Sequence, residues 1–447
     1  MWSRRVDFDF RIAGAICAGA ILVLAGPAHA VPAFAAQTGQ PCQACHVGGF
    51  GPQLTPYGRN FKIGGYTTRT GPINVPRAVM AVASYLNTQK DQDGPPPGFH
   101  DNNNVALDQV SVFIAGGAGQ HLGAFAQVTY DGVGESFSWD NADLRAVTTK
   151  SFGDSTVLFG ASLNNNPTVQ DPWNTLPAWG YPYTDSALAP SAPAAPLVSG
   201  ALAQEVIGLT GYAWVDSEVY LEAGAYGSPS TRFLRNVGAD PIGPGDIDGF
   251  APYARFAWQK TFGEQTLEGG AFFLRAGVFP ARDRSAGVSD VLTDAGIDAS
   301  DYIALSNGDV VTLNARFTHE RQDLRASQPL GLAANAHDVL DDVRGDVAYY
   351  WRNKIGLTVA GFDTSGSADP LLYAASRTAR PDTSGVMVQI DGTPFGGDAQ
   401  PKRRLNLRVG LQYTAYTRFA GASTDFDGAG RRASDINTLR LFTWTAF

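Results

Sequence analysis

Leu405-Asn406-Leu407-Arg408-Val409-Gly410-Leu411-Gln412-Tyr413-Thr414-Ala415-Tyr416 alternates without a break. Leu405, Leu407, Val409, Leu411, Tyr413 and Ala415 share one face. Asn406, Arg408, Gly410, Gln412, Thr414 and Tyr416 fill the other. A period of two is a strand with an apolar and a polar side. Held over about ten residues, it is the pattern of a strand that crosses a bilayer.

The pattern recurs along the chain. Val311, Leu313, Ala315 and Phe317 oppose Thr312, Asn314, Arg316, Thr318 and Glu320. Leu122, Ala124, Ala126, Val128 and Tyr130 oppose Gln127, Thr129 and Asp131. Weaker runs lie near 75–87, 104–116, 139–150, 154–163, 200–214, 216–226, 251–262, 265–278, 340–352, 354–364, 383–392 and 434–447. The total is about fifteen. A closed bacterial barrel takes an even number, so one more strand is expected, within 366–380. Short turns alternate with long irregular segments at 164–199, 227–250, 279–308 and 417–433. That asymmetry is the layout of an outer-membrane barrel.

The chain ends in Phe447 after a run with Phe442 and Trp444. Tyr130, Trp139, Trp214, Tyr226, Trp258, Trp351 and Tyr416 fall near strand ends, where an interfacial girdle would sit. A propeller would show a repeated motif per blade, and none is found. Composition agrees. Of 447 residues 17% are charged and 11% aromatic, with 51 Gly. Three Cys exclude a disulfide framework. A net charge of −9 excludes a basic nucleic-acid-binding face.

Residues 1–30 read as a secretory signal. Arg4, Arg5 and Arg11 precede an apolar stretch from Ile12 to Leu24, too short to span a bilayer comfortably. Ala28-His29-Ala30 fits small-x-small cleavage, leaving Val31 first in the mature chain and removing Cys17.

Cys42-Gln43-Ala44-Cys45-His46 is C-x-x-C-H, the attachment sequence of a c-type haem. Two thiols at this spacing add across two vinyl groups, and His46 is placed to ligate the iron axially. A zinc site would need further Cys or clustered His, and a thioredoxin-like pair a βαβ context. Neither follows. For the sixth iron position the mature chain offers Met80, Met387, His100, His121, His319 and His337. Met80 is nearest in sequence, and also reads as an ordinary residue of an apolar strand. A water-bound or open position is equally compatible. Arg59, Lys62 and Arg69 are candidates to neutralise haem propionates, or are solvated surface charges. From Val31 to about Gly65 the segment is too short for its own core, so it needs a host.

The sequence therefore predicts an all-β chain. It is a transmembrane antiparallel β-barrel of about sixteen strands with a short N-terminal haem-binding cytochrome segment of helix and coil. The divisions are 1–30 signal peptide, 31–72 monohaem segment and 73–447 barrel. Export places it in the bacterial outer membrane, in contact with lipid.

Beyond the haem motif, Pro32-Ala33-Phe34-Ala35-Ala36-Gln37-Thr38-Gly39 and Leu54-Thr55-Pro56-Tyr57-Gly58-Arg59-x-Phe61-Lys62-x-x-Gly65-Tyr66 resemble the fused monohaem cytochrome–porins. These are best known as iron oxidases of iron-oxidising bacteria. Leu107-Asp108-Gln109, Gly123-Ala124-Phe125-x-Gln127-Val128-Thr129-Tyr130 and Asp140-Asn141-x-Asp143-Leu144-Arg145 are similar to that family's early strands. Asn164 to Thr175 with Pro177-Ala178-Trp179-Gly180 resembles its most distinctive loop, and Thr393-Pro394-Phe395-Gly396 recurs near its end. The departure is Val47-Gly48-Gly49-Phe50-Gly51-Pro52, a Gly-rich variant after the haem motif. Related proteins also occur in bacteria not known to oxidise iron, so the donor carries over less firmly than the architecture.

The resemblance implies an electron-transfer protein with Fe(II) oxidase activity. Electrons would pass from extracellular Fe(II), or another donor, through one covalently attached haem c to periplasmic carriers, a cytochrome or copper protein. It implies no catalytic residue apart from the haem ligands. Asp283, Asp290, Asp294, Asp298 and Asp301 are candidate iron-attracting loop carboxylates. The alternative is a passive diffusion porin whose haem-bearing segment is a plug or redox sensor.

Overall fold

A computed structural model describes residues 33–71, 77–395 and 405–447. The signal segment and the boundary at 72/73 lie outside the described residues.

Seventeen strands form one antiparallel sheet. They are β1 Arg77–Thr88, β2 Asn104–Ala118, β3 Leu122–Asp131, β4 Ser136–Phe152, β5 Ser155–Asn164, β6 Ile207–Val215, β7 Val219–Gly227, β8 Asp246–Ile247, β9 Ala251–Phe262, β10 Gln265–Phe279, β11 Asp290–Ala304, β12 Val310–Asp323, β13 His337–Trp351, β14 Ile355–Gly366, β15 Thr383–Gly392, β16 Asn406–Arg418 and β17 Thr438–Ala446. β8 is a two-residue spur on the end of β10. The other sixteen pair with their sequence neighbours and close when β1 meets β17, with Met80 opposite Ala446 and Val82 opposite Trp444.

The sixteenth barrel strand is not within 366–380, which is turn and coil. It is β11, inside the segment expected to be a long loop. β11 reads as loop because Asp290, Asp294 and Asp298 fall on its inward face, where they are buried. Its outward residues include only Val291, Ile297 and Ile303 as large aliphatics.

The surface is inverted relative to a soluble domain. Val343, Val347, Leu357, Val359, Val388, Ile390, Val409, Leu411 and Leu441 are exposed, while Asn314, Arg316, Asp342, Thr358, Gln389, Arg408, Gln412 and Arg440 are buried. Closure leaves no unpaired edge, which a strand structure in hydrocarbon requires. The chain is thus a transmembrane barrel of the bacterial outer membrane, apolar to lipid and polar within. Val359→Arg, on the outer face at mid-strand, should cost about 2–4 kcal/mol. Urea unfolding in lipid vesicles measures it; a change near zero would place Val359 outside the apolar belt.

The expected aromatic girdle is only partly there. Trp258 and Trp351 are exposed, and Tyr130 packs on exposed Phe137. Trp214 and Tyr226 instead point inward and are buried. Turns at 119–121, 153–154, 216–218, 263–264, 305–309 and 352–354 lie at one end, together with Arg77 and Phe447. The other end carries the remaining connections, long except for the turn at 132–135, while Gly392 and Asn406, the ends of β15 and β16 joined by 393–405, lie with the short turns. By the usual polarity the short-turn end is periplasmic.

Two pieces of chain fill the lumen. One is the N-terminal segment, with helices α1 Ala33–Thr38, α2 Cys42–Cys45 and α3 Pro56–Ile63. The other is the connection 165–206 between β5 and β6, which folds inward. Its Trp173 is fully buried, and the Trp173 indole N–H donates to Gln259 Oε1 at 2.9 Å.

Candidate cofactor site

α3 starts where Thr55 accepts from the Gly58 amide, with Pro56 at the first helical position. Gly58 lets α3 lie against α2. A Cβ there would stand 2.3 Å from the Cys45 carbonyl oxygen. Gly58→Ala should therefore push the two helices apart, at about 1–3 kcal/mol. On the haem reading of the C-x-x-C-H motif, the expected result is a lower ratio of covalent haem to folded barrel, read from the absorbance ratio of the purified protein.

Hydrogen bonds to the wall hold the segment in place. Gln37 Nε2 donates to the Tyr66 and Thr68 carbonyls, and Gln37 Oε1 accepts from the Gly117 amide of β2. Tyr66 donates to Asp143, and Tyr212 to the Ile63 carbonyl. Arg145 Nη1 donates to the Lys62 carbonyl, and Nη2 to that of Gln170. Gln53 reaches Thr312, and the Gly48 amide reaches Asn353. The inward loop adds two bonds: Asn174 accepts from the Leu54 amide and donates to the Pro52 carbonyl. β2, β4, β6, β12 and the β13–β14 turn all contribute.

Where the segment, the inward loop and the wall meet there is a cavity of about 410 Å³. It lies within the range of cofactor sites. Cys42, Cys45 and His46 line it from α2 and its end. Opposite stand Met80 and Val82 of β1, Phe113 of β2, Phe125 of β3 and Trp444 of β17, with Trp179 and Tyr183 from the loop. Among the described residues Asp140 is the one carboxylate of this wall and Lys62 the one ammonium.

The cysteines are free thiols on the same short helix. Burial raises both, Cys45 to about 11, so they are not thiolates at neutral pH. Burial, with Arg408 second, holds the His46 imidazole down to about 4. It is therefore neutral, the form that ligates a metal. His46 Nδ1 is buried and has no partner among the described residues.

The sixth-position candidates separate clearly. Met80 lines the cavity. Met387 lies beside a different, smaller cavity near Phe362. The His100 amide bonds Asn104 in the loop before β2. His121 bonds the Val147 carbonyl at the short-turn end. His319 and His337 pair with Asp341 and Asp323, exposed on the outer wall.

The basic candidates are not solvated surface charges. Lys62 donates to the Val169 and Asp171 carbonyls at 2.7 and 2.8 Å and lies 4.7 Å over the Trp179 ring. Arg59 is buried but does not line the cavity, and Arg69 bonds the Gly117 carbonyl. The acidic candidates are scattered. Asp298 pairs with Arg255, Asp290 accepts from Ala326 and Ser327 amides, and Asp294 accepts from the Val198 amide. Asp301 accepts from Gln265 near the short-turn end, and only Asp283 stands in a loop. They do not form a mouth cluster, because four of them belong to β11.

The residues suit a c-type haem. Both thiols and a neutral imidazole with an unpartnered nitrogen share one wall, a thioether sulfur stands on another, and aromatic side chains close the remainder. Among the described residues no group of three or more Cys, His, Asp or Glu side chains is arranged to hold a metal ion by itself. The inward loop was missed from sequence; its Trp173, Trp179 and Tyr183, unusual in a solvated loop, were the available signal.

No protein-family model and no curated protein matches the chain. Among solved structures it is similar to an anion-selective porin from Comamonas acidovorans, at 11% identity and TM-score 0.47 over 83% of this chain and 98% of that one. It is similar to the outer membrane channel DcaP of Acinetobacter baumannii at 12% identity and TM-score 0.45, over 84% and 97%. OmpT, an outer membrane protein of Vibrio cholerae, matches at 10% identity and TM-score 0.42, over 83% and 96%.

Proposed function

We propose that the protein is an outer-membrane electron conduit with one c-type haem in its lumen. Electrons come from an extracellular donor, with Fe(II) the leading case, and leave to periplasmic carriers. The observation that carries this reading is the shared cavity: Cys42, Cys45, His46 and Met80 line one chamber inside a transmembrane barrel.

Cys42 and Cys45 would hold the group by thioether bonds, and His46 and Met80 would supply iron ligands. When bound, a haem supplies reversible one-electron chemistry. Phe34, Phe113 and Phe125 line the chamber and would keep water from a bound group. Lys62, fixed by two carbonyls, is a basic group on the wall whose charge is only partial at neutral pH, since burial lowers it to about 7. The hydrocarbon band is too thick for unaided transfer, and a relay inside the barrel divides the distance. The excess of acidic residues favours cations over anions near the protein.

The test is anaerobic mixing of oxidised, detergent-solubilised protein with Fe(II) at the growth pH. Prompt, saturable appearance of the reduced haem spectrum supports the iron reading. A haem that ignores Fe(II) but accepts electrons from other donors removes iron and keeps the conduit. The polar lumen wall favours a second reading, a diffusion porin. Solute-driven swelling of protein-loaded vesicles decides it; the packed lumen predicts none above the protein-free rate.

A further inference from the structure

Three polar atoms around the cavity are buried without a partner among the described residues: His46 Nδ1, Tyr183 Oη and Trp444 Nε1. The last two are hydrogen-bond donors on neutral side chains. Trp444 is buried, and Tyr183 packs into the same cluster of Met80, Val82, Phe442 and Trp444. Among the other buried lumen aromatics Trp173 donates to Gln259, Trp179 to the Val169 carbonyl and Tyr212 to the Ile63 carbonyl, while Tyr253 Oη, away from this cavity, is also unpartnered. Two neighbouring donors left over on one cavity wall call for an acceptor that the ligand brings.

We propose that Trp444 and Tyr183 form the carboxylate-binding end of this site, donating to a propionate of the haem. This rests on the haem reading above. The basic side chains singled out in the sequence are not suited to that role. Lys62 already donates to two carbonyls, Arg69 to one, and Arg59 lies off the cavity. Val82 and Trp444 face each other across the strand pair that closes the barrel. The carboxylate end therefore sits on the closing pair itself.

Neutral donors keep a buried carboxylate ionised by hydrogen bonding. Without them desolvation raises its pKa, so it takes up a proton near neutral pH. Loss of the donors would therefore make the midpoint potential of a bound haem fall as pH rises.

Trp444→Phe and Tyr183→Phe are compared with wild type and Lys62→Met, each as the full chain carrying its covalent haem. A heat-dependent gel shift verifies the barrel. Should Trp444→Phe fail to fold, Tyr183→Phe carries the test, since it alters a loop rather than a strand. The expected result is a shifted propionate-bending band in the resonance Raman spectrum of both Phe variants. With it should come a midpoint that falls between about pH 6 and 8 more steeply than in wild type and more steeply than in Lys62→Met. In wild type Lys62, lowered to about 7 by burial, is with Asp140 the charged group on the described wall. Phe variants indistinguishable from wild type would overturn the assignment, as would a band shifted by Lys62→Met alone. A folded wild-type barrel with no covalent haem in the pyridine haemochrome assay overturns the haem reading itself, and shows before any variant is made.

Discussion

On the proposed haem reading, replacing both thiols, Cys42→Ala with Cys45→Ala, should take covalent haem from one per chain to none while the barrel still forms. Both side chains are only half-buried, on a short helix, and the one polar contact seen is from Asn406 Nδ2 to Cys42 Sγ at 3.7 Å. Losing them costs about 1 kcal/mol of packing each. None of the sixteen strand pairings involves them. Haem stain on a denaturing gel reads the covalent bond, and the heat-dependent shift of the same band reads the barrel. Covalent haem that persists in the double variant would falsify the attachment site.

The second large effect is expected at Met80. Met80→Leu keeps volume and burial on β1 but removes the only thioether on the cavity wall. Methionine opposite histidine raises the potential of haem iron, and axial ligands move it over several tenths of a volt. The midpoint should fall by about 0.2 V, and the near-infrared band of sulfur-to-iron ligation should vanish. Because leucine cannot ligate, the same loss cannot come from a packing change. An unchanged near-infrared spectrum would place Met80 in the wall only, with another sixth ligand or none.

How far the residues alone disclose this molecule depends on which face they serve. The alternations at 122–130, 311–320 and 405–416 are read correctly face by face, because lipid permits only apolar side chains outward. β11 hides because its inward face is charged and its outward face small. An aspartate every fourth residue resembles solvated loop until the partner charge, Arg255 on β9 two strands earlier, is brought beside Asp298. The inward course of 165–206 has no periodic signal at all. It depends on distant partners such as Glu320, which accepts from the Leu197 amide at 2.6 Å. Trp214 and Tyr226 mislead for a related reason: aromatic residues near strand ends suit a membrane interface and a packed lumen alike. The C-x-x-C-H motif is legible from spacing, whereas the Trp444–Tyr183 wall exists only once the first and last strands meet.

That meeting has a temporal consequence. The N-terminal segment leaves the inner membrane first, and the strand that seals it in, β17, is made last. Thioether attachment needs the thiols accessible to the maturation machinery in the periplasm. On the proposed reading, therefore, cofactor loading precedes insertion. The assembly apparatus then closes the wall around a finished insert, much as a vessel is glazed around its contents. Chains that seal too early would be trapped as colourless barrels with no route back, so their abundance reports how the two pathways are ordered in the cell.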